Sequence, residues 1–316
     1  MKTHLTSFQL FFLTFLYVYS GLALADADSL LALFVPMTAC VLWATVGYRG
    51  AANKRGDLTD FLSVYLPRKE TVIPIAFFLF VSAAEAVLVL FDVSVFLGAE
   101  SEFISFPLLL MVLLGIAVLA CCKGVTVLGR FSETVLFLLV PIFMIHLFGK
   151  FTPIAMTGDA SGVRLVFSVM PAPIFFLLSM TTVSGDAGTS AALRVTENAP
   201  KSRARYLVAT VILGALFAGL LRVGLLMLPF GEHELMLYFL EYMAHVVRLS
   251  LLLSVCAHGI PKKDARGALY TVLMITAVVF TVATVGGAVF SPFLWMTLLV
   301  CLNVTVAMML GIFSFR

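Results

Sequence analysis

The sequence predicts an all-α polytopic membrane protein of about ten transmembrane helices, arranged as five plus five in an inverted repeat. Three observations carry that prediction. Of the 316 residues, 62% are hydrophobic and only 12% are charged, whereas a soluble domain is about half apolar and a quarter charged. A chain this apolar cannot cover a water-facing surface, but it can face lipid. Its apolar residues gather into ten stretches, most of them near the roughly 20 residues that a helix needs to cross the hydrocarbon layer. Finally, the Lys and Arg residues fall almost entirely in every second gap between those stretches.

In order, the expected spans are about 7–24, 29–48, 71–98, 104–122, 134–150, 164–184, 206–230, 234–257, 268–287 and 289–315. Nothing alternates with period two over ten-residue units, which argues against a barrel. All but four of the 20 basic residues lie on the side of the N-terminus. The exceptions are Lys150 and Arg164 on the opposite side, and Arg222 and Arg248 inside spans. The opposite side instead carries Asp26, Asp28, Glu100, Glu102, Asp159, Glu232 and Glu234. Positive charge marks the cytoplasmic face, so both termini are expected in the cytoplasm. Topology thus accounts for the net charge of +3, which gives no indication of nucleic-acid binding. Residues 1–25 also resemble a secretory signal, with Ala23-Leu24-Ala25 before Asp26. Because the run from Ser7 to Leu24 can reach across a bilayer, we read it as a retained first span. Cleavage would leave the orientation of the rest unchanged.

The chain reads as a single membrane domain over 1–316, with repeats at about 1–150 and 151–316. Five spans is an odd number, so two such halves have opposite orientation. In transporters of that design the ligand sits at helices broken near the midplane. The first span of each half is therefore expected to be interrupted. In span six, Val169-Met170-Pro171-Ala172-Pro173 places two prolines within three residues, and each removes a backbone donor and crowds the preceding turn. The alternative is a kink satisfied by neighbouring helices. In span one, Ser20-Gly21-Leu22-Ala23 offers a hydroxyl and a glycine. The candidate ligand-binding residues are accordingly Ser20, Gly21, Ala23, Met170, Pro171 and Pro173. The polar loop at about 185–205 is a connector or a docking loop.

Charges inside apolar spans are costly, and they mark partners or function. Here they are Glu85, Asp92, Arg222, Glu241 and Arg248. Glu85 and Asp92, seven residues apart, share a helical face and suggest an ion or proton pathway or a structural pair. Arg222 and Glu241 flank the hairpin at Gly231 at similar depth and are expected to pair. Glu241, His245 and Arg248 share one face, which makes Arg248 available to Glu85 or to a ligand carboxylate. His146 reads as an interfacial residue. No catalytic motif is present. Cys40, Cys121, Cys122, Cys256 and Cys301 lack metal-ligand spacing and read as small apolar residues. No cofactor or metal is implied. Ser168, Ser179 and Ser184 read as packing hydroxyls.

The stretch from Lys123 to Glu133, KGVTVLGRFSE, precedes an apolar span containing Pro141. It resembles the signature before the fifth helix of endospore germination permeases, the B-subunits of nutrient germinant receptors. These belong to the amino acid–polyamine–organocation superfamily. Gly124, Arg130 and Glu133 occupy the signature positions. The opening Leu5-Thr6-Ser7-Phe8-Gln9-Leu10 and the run Val247-Arg248-Leu249-Ser250 are also similar to the family pattern. Where the family has a second glycine and then a proline in span one, this chain has Ala23 and Asp26. The resemblance implies a permease-like receptor subunit of the spore inner membrane. Such a subunit would bind a small nutrient such as an amino acid and act with companion membrane and lipoprotein subunits. The residues leave two further readings open. One is an amino acid/proton secondary transporter working through Glu85 and Asp92; the other is a ligand-free structural membrane subunit.

Overall fold

The computed structural model describes residues 5–24, 31–52, 72–100, 106–147, 169, 171–180, 200–226 and 234–258, with short pieces between 272 and 301. Among the described residues the protein is all-helical, with eight principal helices. They are α1 (Ser7–Leu24), α2 (Leu31–Ala52), α3 (Val72–Glu100), α4 (Phe106–Lys123), α5 (Val125–Leu147), α6 (Pro171–Met180), α7 (Pro200–Leu226) and α8 (Glu234–His258). Each of the first eight expected segments overlaps one of them. Two helical segments, Tyr206–Gly224 and Tyr238–Ala257, are long and apolar enough to cross a membrane. The expected spans at 268–287 and 289–315 lie mostly outside the described residues, as do the loop residues 53–71 and 181–199.

Helix α1 begins at a reciprocal cap. The Gln9 amide donates to Thr6 Oγ1 at 3.2 Å, and the Thr6 amide donates to Gln9 Oε1 at 3.3 Å. This Thr-x-x-Gln box satisfies two of the amides that a helix start leaves without partners. Just before it, the Leu5 amide donates to the Met180 carbonyl at 2.9 Å, tying the start of α1 to the end of α6. From Leu13 to Leu22 the helix is buried on every side. It packs most extensively on α7 and also touches α8, α5, α3 and α6. It lies close against α7 at Gly214, where an added Cβ would lie 2.9 Å from the Phe11 carbonyl oxygen.

The buried stripe of α7 is Leu207, Val211, Ala215 and Ala218, spaced at helical intervals. Leu213, Phe217 and Leu220 are exposed, with the Phe217 ring 5.7 Å from that of Phe11 on α1. Helix α8 differs in that both of its faces are buried. Ala244, Val247 and Leu251 join the cluster around α1, α2 and α6, while Val246, Leu249 and Leu252 join a second cluster with α3 and α4. Helices α1 and α8 thus form the spine on which the polar side chains meet.

Three expectations need correction. The first helix is unbroken: α1 continues through Ser20, Gly21 and Ala23. One glycine flanked by packed residues stays helical when its neighbours hold the turn, since glycine permits an unusual backbone without requiring one. The fifth helix starts at Val125, well before 134, so the signature lies on the helix and not ahead of it. Only Gly124 separates α4 from α5, and its φ of 94° explains why glycine stands there. The Gly124 amide donates to the Ala120 carbonyl at 3.1 Å, closing α4. Lastly, the end of the expected loop at 200–205 is the start of α7, with Pro200 at its first position. Proline suits that position because its missing N–H would have no helical acceptor there.

Candidate functional site

Polar side chains from α1, α3, α7 and α8 converge inside the bundle. Arg248 on α8 and Glu85 on α3 are both fully buried and pair at 3.2 Å, Nη2 to Oε1. Tyr17 on α1 touches both partners. Its phenol donates to Glu85 Oε1 at 3.2 Å, its carbonyl accepts from Arg248 Nη1 at 3.2 Å, and its ring centroid lies 4.6 Å from the guanidinium carbon. That last contact is a cation–π arrangement, which gains strength away from water.

One turn further along both helices, Ser20 Oγ and His245 Nδ1 lie 2.7 Å apart. Which of the two donates depends on the imidazole tautomer. Beyond them, Arg222 Nη1 on α7 donates to Glu241 Oε1 on α8 at 2.7 Å. Both side chains are 9% exposed. Tyr19 on α1 is buried within electrostatic reach of this pair.

The spacing of these residues explains the convergence. Glu241, His245 and Arg248 follow one another at four and three residues, so they form one stripe of α8. Tyr17 and Ser20 are three apart and face that stripe from α1. Because these groups are cut off from water, each charge needs a counter-charge close by. Removing one partner from a buried pair costs about 3–5 kcal/mol. The arrangement can hold separated positive and negative charges with neutral hydrogen-bonding groups between them. That is the chemistry needed to recognise a small zwitterion or to pass a proton.

The Arg222–Glu241 pair inferred from matched depth is made, and Arg248 takes Glu85 as its partner. Asp92 belongs to α3, but its side chain lies outside the described residues, as does that of His146. Of the candidate ligand-binding residues, Ser20 joins the network through His245. Gly21 is buried beside it and Ala23 is half-buried. Pro171 is the first residue of α6, Pro173 is buried in its first turn, and Met170 lies outside the described residues. The signature residues stand apart from the network: Gly124 is the α4–α5 junction, Arg130 is exposed and Glu133 is half-buried.

Sequence reasoning missed Tyr17. Its signal was there, because it lies three residues before Ser20 on the same α1 face. Among the described residues no three His, Cys, Asp or Glu side chains gather closely enough to hold a metal ion. No protein-family model matches the chain, and no curated protein sequence matches it.

Proposed function

We propose that this chain is a permease-like integral membrane subunit that binds a small nutrient such as an amino acid and passes the occupied state to partner subunits. In this reading it has ten spans in two inverted halves of five, with both termini in the cytoplasm. It works as the membrane subunit of a spore germinant receptor, together with companion membrane and lipoprotein subunits. The single observation that carries a ligand-binding role is the fully buried Glu85–Arg248 pair, clasped by Tyr17 between α1, α3 and α8. Intramembrane charges are expensive, and they mark partners or function. The germination role rests on the resemblance of the Lys123–Glu133 signature.

The test is thermal stability of the purified, detergent-solubilised chain against a panel of amino acids, nucleosides and sugars. The expected result is a shift with one chemical class, lost on Gly21→Leu. A well-folded sample that responds to no compound would contradict the reading. A second reading, a ligand-free structural subunit, is favoured by one observation: both buried arginines already have carboxylate partners. Uptake of the stabilising compound by liposomes holding this chain alone would instead make it an amino acid/proton transporter.

A further inference from the structure

The two buried ion pairs are not alike. Arg222 and Glu241 meet at 2.7 Å, the length of a strong charge-assisted bond. Arg248 and Glu85 meet at 3.2 Å through one carboxylate oxygen. That oxygen, Oε1, also accepts the Tyr17 phenol. The other, Glu85 Oε2, is buried and has no hydrogen-bond partner among the described residues. A guanidinium suits a carboxylate that takes two parallel N–H bonds at once. Glu85, tethered to α3, engages it at one point and leaves half of its own acceptor capacity unused.

We infer that Arg248 is the anchor for the carboxylate of a small organic ligand, and that Glu85 is the resident competitor for the same seat. This rests on the ligand-binding reading and narrows it to one chemical class. The surroundings favour a zwitterion within that class. The seat holds one positive and one negative charge, so a zwitterion leaves the buried charge balanced, whereas a plain anion adds an uncompensated one. As a ligand carboxylate takes Arg248, the released Glu85 carboxylate faces the ligand's ammonium group. In turning to that group, Glu85 gives up the bond from the Tyr17 phenol. Ser20 and His245, one turn away on α1 and α8, offer neutral hydrogen-bonding groups to the rest of the ligand.

Acetate is the probe, because it carries the carboxylate alone and the required partner is already in the chain. Glu85→Gln keeps the size of the side chain and removes the competing charge, leaving Arg248 without its counter-ion. In chloride buffer the full-length variant should melt several degrees below the native chain. Acetate should restore it saturably at constant ionic strength, and adding Arg248→Gln should abolish that response. If Glu85→Gln does not fold, Tyr17→Phe serves instead. It removes the bond that holds Glu85 in place and should bind acetate roughly tenfold more tightly than the native chain, the effect of losing one hydrogen bond to a charged group. No response in the folded variant, or a response that survives loss of Arg248, would overturn the inference. A native chain stabilised by a nucleoside or sugar but blind to acetate in both variants would sink the Arg248 seat and leave the broader ligand-binding reading standing.

Discussion

Changing Glu85 or Arg248 alone to alanine is expected to be among the most damaging substitutions in the chain. Each partner is completely buried, so either change leaves a charge with neither water nor a counter-charge. The expected loss is about 3–5 kcal/mol of stability. The double change Glu85→Leu with Arg248→Met replaces the pair with apolar side chains of similar bulk, and it should recover most of that loss. Arg222 and Glu241 are 9% exposed, and water relieves some of the burden when one of them is cut. Their single alanine variants should therefore cost less, even though their bond is the shorter one. Urea or thermal unfolding in detergent, run as two double-mutant cycles, gives the comparison. A Glu85–Arg248 cycle with no coupling, or a double variant no better than its worse single, would contradict the geometry described here.

The second large effect is expected at Gly214. A Cβ built there meets backbone, with the Phe11 carbonyl oxygen at 2.9 Å and the Phe15 amide nitrogen at 3.3 Å, as well as Thr14 Cβ at 3.2 Å. Backbone in the middle of a packed helix cannot swing aside as a side chain can. Gly214→Ala must push α1 and α7 apart by a few tenths of an ångström, at an expected cost of about 1–3 kcal/mol. Gly214→Leu should prevent the two helices from docking and abolish folded protein on size-exclusion chromatography. Gly224 is the control in the same helix, since nothing stands within 4 Å of its added Cβ. Gly224→Ala should be neutral or mildly stabilising, because alanine is the better helix former by about 0.5–1 kcal/mol. Equal effects at the two glycines would mean that α1 and α7 do not cross where described.

Much of this was legible in the sequence, for physical reasons that also mark the limit. Helix positions follow from apolar runs, because a backbone away from water must satisfy its own hydrogen bonds. The Arg222–Glu241 pair was legible because a tight hairpin converts sequence distance into depth. The partners of Arg248 were only half legible. Glu85 could be named as a candidate, but Tyr17 enters through the packing of α1 between α3 and α8, which no local pattern encodes. The expected break at Gly21 failed for a related reason: composition shows where a helix could open, and packing decides whether it does. Thr6 and Gln9 held a capping box within a stretch noted only for its likeness to a family. At Gly124, the structure supplies a backbone reason for a residue that the signature had merely marked.

Membrane topology underlies the whole account, because the four paired charges have special meaning only if they lie within a bilayer. The most direct test is cysteine accessibility in intact cells, in a chain whose five native cysteines are replaced. Single cysteines at Asn53 and Ser190 report the basic side, and those at Asp28 and Ser161 report the opposite side. The account predicts that a membrane-impermeant maleimide labels Asp28→Cys and Ser161→Cys from outside, and labels Asn53→Cys and Ser190→Cys only after permeabilisation. Equal labelling of all four positions in intact cells, or labelling of none before permeabilisation, would contradict it.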